Sequence, residues 1–295
     1  MTEITHNQTF DPQQFAGNTE PVKIADNSLP EFTFSPENFD AHQRSLEEER
    51  QRELNELRQL PLGPIPRWSF SALSNFEKCP YMLQLSKVDG YPDPAGPAAD
   101  RGLKVHDNIE NFITGETDDL CKEAKKNFEN LIHNLRDHYE AGEIEVEGEW
   151  AHDRDWETTN WDNENAWARI KLDAIWFESK TSARVYDWKT GRKFGNELKH
   201  AQQLQLYVIG AFLRFPELQF VEGQMVYLDK NDRLIAHYTR EEALAFMDKW
   251  TRRGLIMTTT TEFEPKPSPD ACKWCPHGKI QEGYTKPACD YVYKE

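Results

Sequence analysis

The chain lacks any long apolar run. None of its hydrophobic stretches approaches the roughly 20 residues that a membrane-spanning helix requires. The first residues, MTEITHNQTFDPQQF, contain neither a basic nor an apolar segment, so we expect no secretory signal. A GxxxxGK[ST] loop for nucleotide phosphates is also missing. These absences predict a cytoplasmic protein that does not drive its own activity with ATP.

Cysteine and positive charge are both scarce. An odd number of cysteines, five in 295 residues, favours a reducing compartment and argues against a disulfide framework. The 35 Lys and Arg residues are outnumbered by 51 Asp and Glu residues, which gives a net charge of −16. Such an acidic surface repels nucleic acid unless basic side chains cluster locally. The sequence offers two clusters, Lys189, Arg192, Lys193 and Lys199, and Arg252 and Arg253.

The composition changes near residue 66. Residues 1–66 are polar and acidic, and we predict a flexible extension that contains one helix over 40–60. Pro61, Pro64 and Pro66 interrupt the chain there. The hydrophobic content of 38% is sufficient for a substantial core, and we place it in a globular domain over 67–295.

The hydrophobic pattern within 67–295 alternates between helical and strand periods. Helical spacing predicts helices over 71–85, 101–114, 121–139, 198–215 and 240–256. Alternation predicts strands over 143–152, 167–177, 183–189, 223–229 and 233–239. Ser69 or Ser71 can cap the first helix, which would contain Cys79. This order of elements indicates a mixed α/β core.

Two predicted strands carry a candidate catalytic group. Asp187 and Lys189 are two positions apart and therefore project from the same face of a strand. If that strand pairs with its predecessor across the Glu178–Ala183 turn, Asp173 approaches Asp187. Two adjacent carboxylates suit Mg²⁺ or Mn²⁺, and a lysine beside them could stabilise charge during phosphodiester cleavage. The alternative for Asp187 and Lys189 is a surface ion pair.

The cysteines form a second candidate site. Cys272-x-x-Cys275 is a metal-chelating spacing, but it is ambiguous among zinc, iron–sulfur and redox uses. A redox use fits poorly, because no thioredoxin-like βαβ pattern surrounds it. Cys79 and Cys289 could join these two only if the ends of the domain meet. Cys121 lies outside the pattern and is expected to pack within a helix.

Several segments occur together in the order SFSALSNFEKCPYMLQL, RGLKVHDNIENF, LDAIWF, YDWKTG, QLQLYVIGAF and CKWC. Over residues 67–290 the chain resembles the RecB-type branch of the PD-(D/E)XK nuclease superfamily, which includes the AddB nuclease domain and CRISPR-associated exonucleases. The resemblance implies a restriction-endonuclease-like α/β core with a central mixed β-sheet flanked by helices. It also implies that an iron–sulfur cluster joins the N- and C-terminal parts of that core.

The resemblance assigns roles to individual residues. It implies that His106, Asp173 and Asp187 bind Mg²⁺ or Mn²⁺, that Lys189 is the catalytic lysine, and that Gln203 and Tyr207 position the substrate. Without it, His106 is better explained as a helix-face histidine, and Tyr207 as a partly buried tyrosine beside a polar neighbour. Glu149 is a candidate auxiliary acid, although Glu145 and Glu147 share its alternation.

For the cysteines the resemblance implies a [4Fe–4S] cluster bound by Cys79, Cys272, Cys275 and Cys289. The interval from Cys275 to Cys289 is longer than the family's usual spacing. His277 is therefore an alternative ligand, and zinc is the less favoured metal.

These features together predict a metal-dependent DNA exonuclease that acts on ends or single strands in recombination, repair, or phage or CRISPR DNA processing. A helicase or recombination protein is a candidate partner, and an oligomer is compatible with the sequence. If the chain is phage-encoded, it would act in the host cytoplasm. One alternative is a non-catalytic DNA-binding or assembly subunit with the same fold. Another is a zinc-stapled protein with an incidental Asp-x-Lys.

Overall fold

The structure, a computed structural model, describes residues 36–94, 96–191 and 193–293. Its contacts divide the chain into two units, Met1–Glu49 and Arg50–Glu295. Most of the predicted flexible extension, residues 1–35, lies outside the described residues, as does Arg192 of the first basic cluster. In the first unit, residues 39–49 belong to a helix whose side chains are exposed.

The helices and strands follow the predicted order with additional short elements. The helices of the described residues are α1 Pro36–Gln59, α2 Phe70–Lys78, α3 Pro80–Lys87, α4 Pro97–Ile113, α5 Lys122–Glu140, α6 Glu197–Arg214, α7 Arg240–Leu244, α8 Met247–Thr259 and α9 Pro269–Lys273. The strands are β1 Trp68–Ser69, β2 Ile144–His152, β3 Thr158–Thr159, β4 Ala168–Phe177, β5 Ser182–Lys189, β6 Phe220–Tyr227 and β7 Asp232–Thr239. Throughout the described ranges, the helices are too short or too polar to cross a bilayer.

The second half of α1 belongs to the larger unit. Leu54 is fully buried in the core of that unit, and Leu57 packs against the same core. The guanidinium of Arg252 donates two hydrogen bonds to Glu53, at 2.7 and 2.9 Å. The contacts divide the chain after Glu49, whereas the sequence places the boundary at residue 66, because apolar residues in the second half of α1 pack on the core.

Two of the predicted helices are each two helices in the structure. Cys79 is extended, with φ −161° and ψ 104°, and it separates α2 from α3 instead of lying within one helix. The physical reason is Pro80, whose ring disfavours helical dihedrals in the residue before it. Ser69 caps α2 as predicted, since its hydroxyl accepts a hydrogen bond from the N–H of Ala72. The predicted helix over 240–256 is likewise divided, into α7 and α8.

The seven strands of the described residues form one mixed sheet in the order β3-β2-β4-β5-β6-β7, with β1 paired to β4 off this path. The pairs β2–β4, β4–β5 and β6–β7 are antiparallel, whereas β1–β4 and β5–β6 are parallel. The parallel pair β5–β6 requires a crossover, which α6 provides. Strands β1 and β3 have two residues each and were not predicted, because so short a segment has no detectable period.

Helices cover both faces of the sheet. Buried residues of α6 and α8 form one core with β4 and β5, and buried residues of α4 and α5 form another on the opposite face. Gly254 allows α8 to approach the sheet, because a Cβ there would lie 2.6 Å from atoms of Trp68 and Trp167. The predicted α/β fold, with a central mixed sheet flanked by helices, is confirmed.

Candidate active site

Asp173 and Asp187 occupy opposed positions on adjacent strands. β4 and β5 form an antiparallel hairpin, as predicted, in which the pair Ala174 and Tyr186 ends the ladder. The same register places Asp173 opposite Asp187, one position beyond that last pair. The two carboxylates therefore lie where the strands stop pairing, and the unpaired backbone leaves room for side chains to meet.

Hydrogen bonds and an ion pair organise these carboxylates. One oxygen of Asp173 lies 3.0 Å from Nδ1 of His106 on α4, and the other accepts a 2.6 Å hydrogen bond from the main-chain N–H of Trp188. The ammonium of Lys189 lies 2.6 Å from Oδ2 of Asp187. The residues predicted to hold the metal and to assist hydrolysis are thus brought together.

The two acids and the histidine influence each other's protonation. Asp187 is 3% exposed. Its pKa is raised, first because burial disfavours the charged form and then because Asp173 repels it, although Lys189 acts in the opposite direction. Burial would lower the pKa of His106, but the hydrogen bond and charge of Asp173 outweigh it and the net pKa is raised. The site therefore holds two carboxylates close together, an arrangement that a bound cation would stabilise.

Helix α6 presents Gln203 and Tyr207 to the same site. They are one helical turn apart, and the amide nitrogen of Gln203 donates a 2.5 Å hydrogen bond to the phenolic oxygen of Tyr207. The pKa of Tyr207 is raised well above its usual value, because the ring is buried and because Asp187 and Asp173 lie near its oxygen. The phenol therefore stays protonated and can act as a hydrogen-bond donor.

The structure distinguishes the acidic residues of β2. Glu147 lines the cleft, and the register of β2 and β4 places it opposite Asp173. Its φ of 49° interrupts the ladder at that point. Glu149, the candidate auxiliary acid, has a 48% exposed side chain and lies 3.7 Å from Lys171. Alternation in the sequence could not show which of the two glutamates faces the cleft. The difference depends on the positive φ of Glu147, which is a feature of the backbone.

The site forms one end of a cleft of about 520 Å³. Its lining includes all of the predicted catalytic residues except Glu149. It also includes residues to which the sequence analysis assigned no catalytic role, namely Ser69, Phe70, Ser71, Leu103, Asp107, Glu147, Trp161, Arg169, Lys171 and Leu206. Arg169, Lys171 and Asp173 follow at two-residue intervals on β4, so they share a face. That periodicity was the signal available in the sequence for Arg169 and Lys171.

The acidic end of the cleft fits a divalent cation. Oδ2 of Asp187 is buried, and the ammonium of Lys189 lies 2.6 Å from it. Carboxylate oxygens are the ligands that Mg²⁺ and Mn²⁺ prefer. In the ranges described, no three His, Cys, Asp or Glu side chains are arranged to hold a metal ion as they stand.

Four cysteines line one small cavity. Cys79 follows α2, and Cys272, Cys275 and Cys289 come from the C-terminal tail, so the two ends of the domain meet there. The main-chain N–H of Lys266 donates to the sulfur of Cys79 at 3.4 Å. A second main-chain N–H, from Tyr293, donates to Cys272 at 3.3 Å.

The surroundings of the cysteine cavity bear on its ligand. Burial is the largest cause that raises the pKa values of Cys275 and Cys289. The neighbouring thiols raise them further, although main-chain hydrogen bonds act in the opposite direction. A bound cation would favour their thiolates. His277, the alternative ligand, is fully buried but does not line this cavity. Cys121 precedes α5 and packs beside the core of α4 and α5.

The basic clusters are largely neutralised by carboxylates. Arg252 pairs with Glu53, and Arg253 donates two hydrogen bonds to Glu77 at 2.6 and 2.7 Å. Lys193 pairs with Asp232. The pKa of Lys199 is lowered by burial and by two neighbouring lysines, Lys78 and Lys189.

The profile of the PD-(D/E)XK nuclease superfamily matches residues 67–280. The chain belongs to this superfamily. The superfamily predicted from the motifs is thus confirmed, and it supports a nuclease function, a class of phosphodiester hydrolase. The RecB-type branch and the iron–sulfur cluster remain predictions.

Solved structures show weaker likenesses. A candidate exonuclease from Eubacterium rectale is 17% identical over 74% of this chain and 90% of its own, with a TM-score of 0.43. The alkaline exonuclease LHK-Exo from Laribacter hongkongensis is 11% identical over 65% of this chain and 87% of its own, with a TM-score of 0.28. These low scores carry no argument about the site. No curated protein matches the chain.

Proposed function

We propose that this protein is a Mg²⁺- or Mn²⁺-dependent DNA exonuclease. The observation that carries the proposal is the meeting of Asp173, Asp187 and Lys189 at one end of a cleft, in a member of a nuclease superfamily. His106 lies beside Asp173 and would complete the ligand set with the two carboxylates.

A bound Mg²⁺ or Mn²⁺ would polarise the scissile phosphate and lower the pKa of a coordinated water. Asp173, Asp187 and His106 would hold this cation, His106 through its neutral imidazole. Lys189, freed from its ion pair with Asp187, would face the phosphate and offset the negative charge that develops on it. The mechanism thus exchanges one neutralising partner of Asp187 for another.

The other cleft residues would orient groups around the scissile phosphate. Tyr207 stays protonated and, supported by Gln203, can donate a hydrogen bond to a phosphate oxygen. We assign the auxiliary acidic role to Glu147 in preference to Glu149. Its carboxylate lies on the cleft and opposite Asp173, from where it can orient a water molecule.

The substrate that this site favours is a DNA end or a single strand. The chain contains no nucleotide-phosphate loop, so separating a duplex would depend on a helicase or recombination protein. We propose that the activity serves recombination, repair, or phage or CRISPR DNA processing. An oligomer and a cytoplasmic location are part of the same proposal.

We further propose that Cys79, Cys272, Cys275 and Cys289 bind a [4Fe–4S] cluster with a structural role. Four thiols around one cavity, two of which accept main-chain hydrogen bonds, are the donor set and second sphere that such clusters use. Zinc is the less favoured alternative, because the motifs resemble those of nucleases that carry a four-cysteine iron–sulfur cluster.

The test compares wild type with Lys189→Ala, both purified anaerobically, on linear and covalently closed DNA with Mg²⁺ or Mn²⁺. We expect loss of linear DNA only, abolished by the substitution. Cleavage of both topologies would make the enzyme an endonuclease. No Lys189-dependent cleavage in protein that retains its iron would favour a non-catalytic DNA-binding subunit.

A further inference from the structure

Arg169 differs from the other cations of the cleft in how its charge is compensated. Lys189 lies 2.6 Å from Asp187, Lys171 lies 2.6 Å from Glu147, and His106 lies 3.0 Å from Asp173. Among the described residues, the only carboxylate beside Arg169 is that of Asp162, at 4.0 Å, and the Asp162 side chain is 97% exposed. A partner so distant and so well solvated stabilises the guanidinium only weakly.

The position of Arg169 is nevertheless fixed. Its Nη2 donates a 2.6 Å hydrogen bond to the main-chain oxygen of Trp161, and its guanidinium lies 4.8 Å from the centre of the Trp161 ring. Its Nε is buried and has no hydrogen bond within the described ranges. Ser69 pairs with Arg169 in the β1–β4 register, and the hydroxyls of Ser69 and Ser71, 3.1 Å apart, line the same cleft.

We propose that Arg169, backed by Trp161 and joined by Ser69 and Ser71, binds a backbone phosphate of the DNA strand whose neighbouring phosphodiester lies at the metal site. The proposal rests on the proposed function for its substrate. A held guanidinium with free donors and two hydroxyls is a recognition set for a phosphate.

Spacing along β4 sets which phosphate is bound. Arg169 and Asp173 are four positions apart, a distance of about 13 Å along a strand. Successive phosphates of a B-form strand advance by about 3.4 Å. The phosphate at Arg169 is therefore separated from the scissile one by no more than about four nucleotides.

Arg184 provides a matched control. It also lies on the sheet with its guanidinium over a tryptophan, 5.2 Å from the Trp176 ring centre. Unlike Arg169, it is paired with two carboxylates, those of Glu178 at 2.9 Å and Glu222 at 3.2 Å, and it does not line the cleft. Both arginines thus lie over a tryptophan ring. They differ in the number of nearby carboxylates and in whether they line the cleft.

The experiment measures binding of fluorescent oligothymidylates of two to eight nucleotides in EDTA, across a salt series, for wild type, Arg169→Gln, Arg169→Lys and Arg184→Gln. Neutralising one phosphate contact on a single strand changes the slope of log Kd against log salt by about 0.7. We expect that loss in Arg169→Gln only, with the slope retained in Arg169→Lys. The gain in affinity on lengthening from two to about five nucleotides should also shrink in Arg169→Gln.

Equal slopes in Arg169→Gln and wild type would overturn the subsite, as would an equal loss in Arg184→Gln. The cleavage assay separates this result from the proposed function. Cleavage with an unchanged slope rejects the subsite alone. A changed slope without any Lys189-dependent cleavage supports the subsite in a binding protein and rejects the nuclease proposal.

Discussion

The carboxylate of Asp173 accepts a hydrogen bond from the main-chain N–H of Trp188, the residue between Asp187 and Lys189. A side chain on β4 thereby supplies the acceptor that the backbone of β4 would supply in a continued ladder. This hydrogen bond fixes the position of β5 relative to β4. It therefore also fixes the positions of the Asp187 and Lys189 side chains on β5. Asp173, a proposed metal ligand, thus also holds the strand in place.

Asp173→Asn and Asp173→Ala should separate these two roles. Both should abolish metal-dependent cleavage, but the amide oxygen of asparagine can still accept from Trp188. Alanine leaves that N–H without a partner, and we expect it to cost about 2 kcal/mol of unfolding free energy. Chemical denaturation of both variants measures the difference. Equal stability of the two would show that the hydrogen bond does not hold the strand.

Metal binding should be detectable as stability without any cleavage. A cation that binds only the folded state at 100 times its dissociation constant adds about 2.7 kcal/mol. We expect Mg²⁺ or Mn²⁺ to raise the Tm of wild type, and Asp187→Asn to lose that rise. Asp248→Asn, which alters a carboxylate on α8 paired with Arg50, serves as the control and should keep it. A rise retained in Asp187→Asn would place the metal elsewhere.

Glu147 and Glu149 form a natural comparison of two glutamates on one strand. Glu147→Gln should lower kcat by about 10- to 100-fold, because its carboxylate faces the cleft opposite Asp173. Glu149→Gln should stay within about twofold, since that side chain is half-exposed beside Lys171. Steady-state kinetics on single-stranded DNA compares them. The reverse order of effects would return the auxiliary role to Glu149.

Much of the fold could be predicted from the spacing of apolar residues along the sequence. The long helices and the five longer strands each bury one face, and this burial produces a regular period. The catalytic strand pair also followed, since a short turn forces β4 and β5 into a hairpin. What the period could not reveal is the change at Asp173. Leu172 packs in the core of α6 and α8, whereas Ala174 packs in the core of α4 and α5. Strict alternation would place both on one face.

The position of Glu147 in the cleft could not be predicted from alternation either. Its positive φ is a backbone feature that a glutamate does not announce in sequence. The helix break at Cys79 could have been predicted from the sequence, because the following residue is a proline. The ion pairs of Arg252 with Glu53 and of Arg253 with Glu77 join residues that are far apart in the sequence. No local pattern could therefore predict them.

The cysteine cavity makes a quantitative prediction about metal content. Anaerobically purified protein should contain about four iron atoms per chain if the site holds a [4Fe–4S] cluster. Cys289→Ser should lose this iron and loosen the C-terminal tail, detected as faster proteolysis beyond residue 265. Cys121→Ser is the control, because Cys121 does not line the cavity. One zinc per chain in place of iron would show that the cavity binds zinc instead.

His152 predicts how stability depends on pH. The ring is fully buried against Trp156, neither nitrogen has a hydrogen-bond partner among the described side-chain and backbone groups, and burial lowers its pKa from 6.5 to about 4. The unfolded chain therefore binds the proton first, so the stability contribution falls as pH decreases from about 6.5 toward 4. The loss amounts to about 2 kcal/mol at pH 5. His152→Leu keeps a similar side-chain volume. It should reduce the dependence of the unfolding free energy on pH between pH 7 and 5. His237→Gln is the control and should not reduce it, because the His237 side chain is 72% exposed. Parallel pH curves for wild type and His152→Leu would mean that the buried ring opens to water before it is protonated.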